Sequence, residues 1–202
     1  MSVTQRKSAA VRREEIVQAA LALIAGRGPG ALTTAAIARH IGVSEAALFR
    51  HYPSKSAILI ACIEWMGDRM RPAIFVAAAV PGPPEQRLRR IVATILSVAR
   101  AIPAMPTTMF SRELLAEFPE LKEMLRERRR ALHTVLAALL DEGKADGSFA
   151  PDLDSTTAAW LVMGMVHSLL FRHHHIDDDL DLDDEAKTML DILLLGLKRR
   201  GT

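Results

Sequence analysis

The chain has 202 residues, half of them apolar, 25% charged and only 4% aromatic, a composition that allows a sizeable core and excludes wholesale disorder. One cysteine, Cys62, excludes an internal disulfide or a cysteine-based zinc site, and no apolar run reaches the roughly 18 residues of a membrane span. The formal net charge is +2, but residues 1–60 carry eight Lys/Arg against three acids, whereas the other 142 carry 18 bases and 21 acids. That asymmetry points to a polyanionic partner for the first part only.

Abundant Ala and Leu and few aromatics predict an all-α protein. The polar, basic N-terminus, with no apolar run behind it, gives no secretory signal. A soluble, cytoplasmic protein with no membrane partner is expected, and Cys62 reads as a small buried helical residue, with redox sensing the lesser alternative.

Taken in chain order, residues 1–8 read as a basic arm. A first helix is predicted over about residues 10–25, with Ile16, Ala19, Ala20, Leu23 and Ile24 at helical spacing, ended by Gly26, Gly28, Pro29 and Gly30. A short helix follows over 34–40, capped by Thr33 or Thr34 and broken at Gly42. Ser44 caps a third helix running through Tyr52, and Pro53 stops it. Leu48 and Tyr52 face inward, leaving Glu45, Ala46, Phe49 and Arg50 outward. Two short helices joined by the turn His40-Ile41-Gly42-Val43-Ser44 make a helix-turn-helix pattern.

Ser54 caps a fourth helix, predicted to end near residue 70 or 71 ahead of Pro72. Pro81-Gly82-Pro83-Pro84 is a clear break. Further helices are predicted over about 85–101, 107–117 (after breaks at Pro103 and Pro106), 119–143, 154–172 and 184–199. The total is about nine, with no strand or internal repeat. The last two are apolar over more than one face, which predicts burial on two sides. At the end of a chain this size, the second side is expected to be another subunit, with a central helix pair within the chain's own core as the lesser alternative.

Residues 13–55, REEIVQAALALIAGRGPGALTTAAIARHIGVSEAALFRHYPSK, resemble the TetR family DNA-binding domain over its whole length. The resemblance lies in Ile16, Ala19, Ala20, Leu23, Gly28, Thr33, Thr34, Ile37, Ala38, the Gly42-Val43-Ser44 turn, Leu48, Phe49, His51, Tyr52 and Lys55. It implies a helix-turn-helix DNA-binding domain of three helices over residues 1–55, including the arm. A C-terminal helical domain over 56–202 would bind an effector and dimerise. The runs FSRELLAEFPELKEMLRERR and EGKADGSFAPD also resemble regulatory domains of this family.

The resemblance implies phosphate contacts from Thr34, Tyr52 and Lys55, with base contacts from Glu45, Ala46, Ala47, Phe49, Arg50 and His51, and Ser44 at the helix start. Two recognition helices of a homodimer would enter successive major grooves, so double-stranded DNA with a near-palindromic operator is the expected partner. Phe49 stands where the family commonly has tyrosine, which removes one hydroxyl contact. Ala46 and Ala47 suit thymine methyls and Arg50 suits guanine, whereas Glu45 either accepts from cytosine or only stabilises its helix. Arg6, Lys7, Arg12 and Arg13 either touch DNA or form a solvated tail.

For a small, apolar or amphipathic effector, the candidate lining is Met66, Met70, Phe75, Met105, Met109, Phe110, Trp160, Met163 and His167, most of which suit plain core filling better. The subunit interface is expected at Leu161, Gly164, Met165, Ser168, Leu190, Leu193, Leu194 and Leu197. His173-His174-His175 with Asp177, Asp178 and Asp179 reads as a solvated loop, not a metal site, and Arg126 with Arg128–Arg130 as a solvated face. No phosphate loop, nucleophile elbow or zinc-protease motif occurs, so neither an enzyme nor a cofactor is expected. The expected function is a transcription regulator, a repressor by family tendency. GVSEAALFRHYPSK is also similar to the recognition region of the TetR-type nucleoid occlusion factor, which implies as alternative a DNA-binding protein that contacts a cell-division protein.

Overall fold

The computed structural model describes residues 8–177 and 179–198, with Phe110 described by its backbone alone. Among the described residues the chain forms ten α-helices and no strand. Its contacts divide it into two compact units: residues up to Gly67 with Pro103–Leu125, and Asp68–Ile102 with the residues from Arg126 onward.

In the first unit, helix α1 (Ala9–Arg27) is capped by the Ser8 side chain, which accepts from the Val11 N–H. It ends at Gly28, whose φ of +76° favours glycine, so Gly26 lies inside the helix. After a 3-10 turn at Pro29–Ala31 come α2 (Thr34–His40) and α3 (Glu45–Phe49). Ile16, Ile24, Ile37, Leu48, Ile58 and Leu59 are fully buried. Each such side chain contributes about 1.5–3 kcal/mol, which lets so small a set of helices hold together.

This unit also includes residues 56–67 and the segment Pro103–Leu125. The first turns of α4 (Lys55–Ala79) bury Ile58, Leu59, Cys62 and Ile63, with the Cys62 thiol 3.9 Å from the Val17 carbonyl. Helix α6 (Ala104–Phe110) packs on α1, and α7 (Arg112–Glu117) packs on the 3-10 turn.

Several helix ends differ from those expected from sequence. Helix α4 runs through Pro72 instead of stopping before it. The proline costs about 3 kcal/mol in a helix interior, and the extension buries Ile74 and Ala77 in return. Pro106 opens no break: it stands in the first turn of α6, where an N–H has no helical partner. The single helix expected over 107–117 is two, because the Ser111 hydroxyl accepts from Leu114 N–H and starts α7. Helix α9 (Ser155–His175) extends through His173–His175, which are therefore helical and not a loop. The same last turn holds Arg172, a cation that a helix C-terminus favours.

In the second unit, α5 (Pro84–Ala101), α9 and α10 (Leu182–Leu197) pack together, with the later turns of α8 (Pro119–Ala145). Asp181 caps α10, accepting from the Asp183 and Asp184 N–H groups, so this helix starts two residues before the predicted Asp184. Ion pairs Arg89–Asp191 (2.6 Å), Lys198–Glu85 (2.9 Å) and Arg100–Asp183 (2.9 Å) join α5 to α10 and its cap. Phe149 is buried with its ring against Gly143 of α8, and its backbone N–H donates to the Gly143 carbonyl at 2.9 Å. No described helix is long and apolar enough to cross a membrane.

Candidate nucleic-acid interface

Three local devices build the presenting surface. Thr33, not Thr34, caps α2: its hydroxyl accepts from Ala36 N–H at 3.0 Å. Thr34 therefore keeps its own hydroxyl for another partner, and it donates to Glu45 Oε1 at 3.5 Å. The end of α2 closes with two paired bonds, Val43 N–H to the Ala38 carbonyl (2.9 Å) and Gly42 N–H to Arg39 (3.3 Å). This closure needs a left-handed residue, and Gly42 supplies φ +69°. Ser44 then caps α3 by accepting from Ala47 N–H at 3.2 Å.

Leu48 is fully buried and anchors α3. A five-residue helix with one anchored face must turn the other outward: Ser44, Glu45, Ala46, Phe49 and Arg50 are exposed, and Ala47 and His51 half-buried. Phe49, at 43% exposure, is a large apolar ring held in solvent. Helix α3 is shorter than predicted: Arg50 and His51 form a turn, and Tyr52 follows it.

The turn is held from α1. Arg13 donates to the His51 carbonyl through Nε (3.3 Å) and Nη2 (3.1 Å), and its guanidinium lies 5.1 Å from the Tyr52 ring centroid. Burial pushes the Tyr52 phenol above its usual range against the opposing effect of Arg13, so at neutral pH it is a protonated donor. Arg12 pairs with Glu15 at 2.9 Å. Both arginines therefore belong to α1 and not to a solvated tail, while Arg6 and Lys7 lie outside the described residues. The sequence carries no local signal for this role of Arg13, because its partner carbonyl lies 38 residues away.

Lys55 opens α4 and is half-buried. Its ammonium lies 3.3 and 3.4 Å from the Glu117 carboxylate oxygens and 5.3 Å from the Phe118 ring centroid. The next residue, Ser56, donates its hydroxyl to Glu120, and this bond holds the Glu120 carboxyl below its usual range. Sequence gives no signal for either acid here, since they lie 62 and 64 residues from their partners.

The effector candidates are distributed over both units. Met66, Met105 and Met109 belong to the first unit, and Met70, Trp160, Met163 and His167 to the second. Met66, Met105 and Met163 are buried, Met70, Met109 and His167 half-buried. Trp160 is 47% exposed and Phe75 58%; the side chain of Phe110 lies outside the described residues. Burial, and secondarily Arg129, lowers the His167 pKa. Of the expected interface residues, Met165, Leu190, Leu194 and Leu197 are buried within the chain and Leu193 is half-buried. Leu161, Gly164 and Ser168 are exposed. An open groove of about 520 Å³ between α9 and α10 is lined by residues that include Leu161, Met189, Ile192, Leu193 and Gly196. Asp178 is outside the described residues, and among those described no group of three or more His, Cys, Asp or Glu is placed to hold a metal ion.

A capped helix-turn-helix with an outward α3, followed by helices alone, defines a DNA-binding transcriptional regulator fold. Residues 16–62 match the family described as bacterial regulatory proteins, tetR family, and residues 81–197 match the tetracyclin repressor-like C-terminal domain; the chain belongs to the TetR family. It is 32% identical over 163 residues to the nucleoid occlusion factor SlmA of Photobacterium profundum, covering 80% of this chain and 83% of that one. Among solved structures it resembles the TetR family transcriptional regulator PfmR from Thermus thermophilus, at 25% identity and TM-score 0.77 over 91% of this chain and 99% of that one. It shares its fold with the fatty acid degradation regulator FadR from Bacillus halodurans, at 24% identity and TM-score 0.80 over 97% and 100% of the two chains.

Proposed function

We propose that the chain is a homodimeric, sequence-specific transcriptional repressor that leaves a near-palindromic operator when a small apolar or amphipathic ligand binds its C-terminal helices. The observation that carries the DNA reading is the outward face of α3. Leu48 anchors it and Arg50 and Phe49 stand exposed, while Thr34 opens α2 and Lys55 opens α4. Arg50 reads guanine, Ala46 and Ala47 meet thymine methyls, and Thr34, Tyr52 and Lys55 hold phosphates. Exposed Leu161 (56%), Ile192 (66%) and Leu195 (73%) support a partner subunit over α9 and α10, since apolar surface of this kind marks an interaction site. The buried methionines support an adaptable apolar ligand.

The likeness to nucleoid occlusion factors favours a second reading, in which the chain binds dispersed DNA sites and contacts a cell-division protein. Affinity selection from a random duplex pool, followed by genome-wide mapping, separates the two. One or two promoter palindromes support the repressor; many dispersed sites support the second reading. No enrichment over random DNA contradicts both.

A further inference from the structure

Lys55 and Glu117 each stand where their own helix disfavours them. A cation at the start of α4 faces the positive end of a 25-residue helix, and a carboxylate closes α7 at its negative end. Local helix preference therefore explains neither residue. Together they form an ion pair 62 residues apart in sequence, with both Glu117 oxygens within 3.4 Å of the ammonium. Phe118 lies under the same cation, and Glu120 accepts from the hydroxyl next in line, Ser56. Two consecutive residues at the start of α4 are thus engaged by acids from the segment 111–120. A carboxylate with both oxygens on an ammonium offers the charge and acceptor geometry of a DNA phosphate.

We propose that Glu117 is an intramolecular stand-in for a DNA phosphate at Lys55, so that DNA must displace this carboxylate before Lys55 can contact the duplex backbone. This rests on the DNA-binding reading above. The latch lowers affinity for every duplex alike, because the contact it withholds is to phosphate and carries no sequence information. It also ties the strength of DNA binding to the position of α7, a segment that follows α5 and precedes the long α8. Anything that draws Glu117 off Lys55 raises affinity, and anything that fixes it there lowers affinity.

The test compares Glu117→Gln with the unaltered full-length chain on the selected operator and on random duplex DNA, at several salt concentrations. Freed Lys55 adds one neutralised phosphate per subunit, so the slope of log affinity against log salt steepens by about 0.9 per subunit. Affinity for both DNAs rises together, about threefold to tenfold at low salt. In a Lys55→Gln background the same change at residue 117 has no effect. Weaker binding by Glu117→Gln would overturn the latch and make Glu117 a residue that positions Lys55. Unchanged affinity and slope would reduce the pair to a surface contact. A parent chain that binds no duplex at all overturns the DNA-binding reading instead, which separates the two failures.

Discussion

Arg13 and His51, 38 residues apart, are joined by two hydrogen bonds from one guanidinium to one backbone carbonyl. The bond satisfies a carbonyl just past α3, and it fixes the turn that carries Arg50 and His51 to the body of α1. Side chains set the chemistry of the DNA-facing surface, but Arg13 sets its direction.

Arg13→Ala is therefore expected to weaken binding to operator and random DNA alike, by about fivefold to tenfold, corresponding to roughly 1 kcal/mol for a lost hydrogen bond. The bonds lie within the folded chain, so the thermal midpoint should also fall, by about 2–4 °C. Binding isotherms beside a melting curve check this. An Arg13 variant that loses only sequence preference would show instead that Arg13 reads bases.

Leu195 is the most exposed large apolar residue on α10, at 73%. Leu195→Arg should convert a dimer to a monomer that stays folded, since the side chain contributes little to its own subunit's core. Sedimentation at micromolar concentration with a circular dichroism spectrum checks it. A dimer that survives the change would move the interface elsewhere.

Gly143 has no room for a methyl group: an added Cβ would lie 2.2 Å from Phe149 Cδ2. Gly143→Ala should destabilise the chain by about 1–3 kcal/mol through overpacking. The combination with Phe149→Leu should recover part of that loss. Urea unfolding of the two single variants and the double variant measures the coupling; strict additivity would contradict the contact.

His167 titrates lower in the folded chain than its ordinary value of 6.5, first through burial and then through Arg129. The unfolded chain therefore takes up a proton that the folded chain resists. The stability tied to this group is complete above about pH 6.5 and falls as pH drops toward the folded value. Replacing His167 with Gln should flatten the fall in urea midpoint between pH 7.5 and 5. An unaltered pH dependence would assign it to other groups.

Cys62 is fully buried, and burial pushes its thiol up to about 12. A thiolate is the reactive form, so redox sensing through this residue is set aside in favour of a core role that its position on α4 already suggested.

The order of helices and the outward face of α3 follow from local rules and were legible along the chain. Ser44 and Gly42 signal their cap and turn through backbone chemistry confined to a few neighbours. Leu48 signals the buried face by spacing alone. Helix continuation through Pro72 was not legible, because its cost is set against burial of Ile74 and Ala77 by tertiary neighbours. The Arg13 clamp and the Lys55–Glu117 pair were invisible for the same reason: each joins residues dozens of positions apart, and charges pair by distance in space. Which side chains this protein can offer to DNA was therefore written in the order of its residues. Which of those side chains are already engaged within the chain was set by folding, since that depends on where distant helices bring their charges.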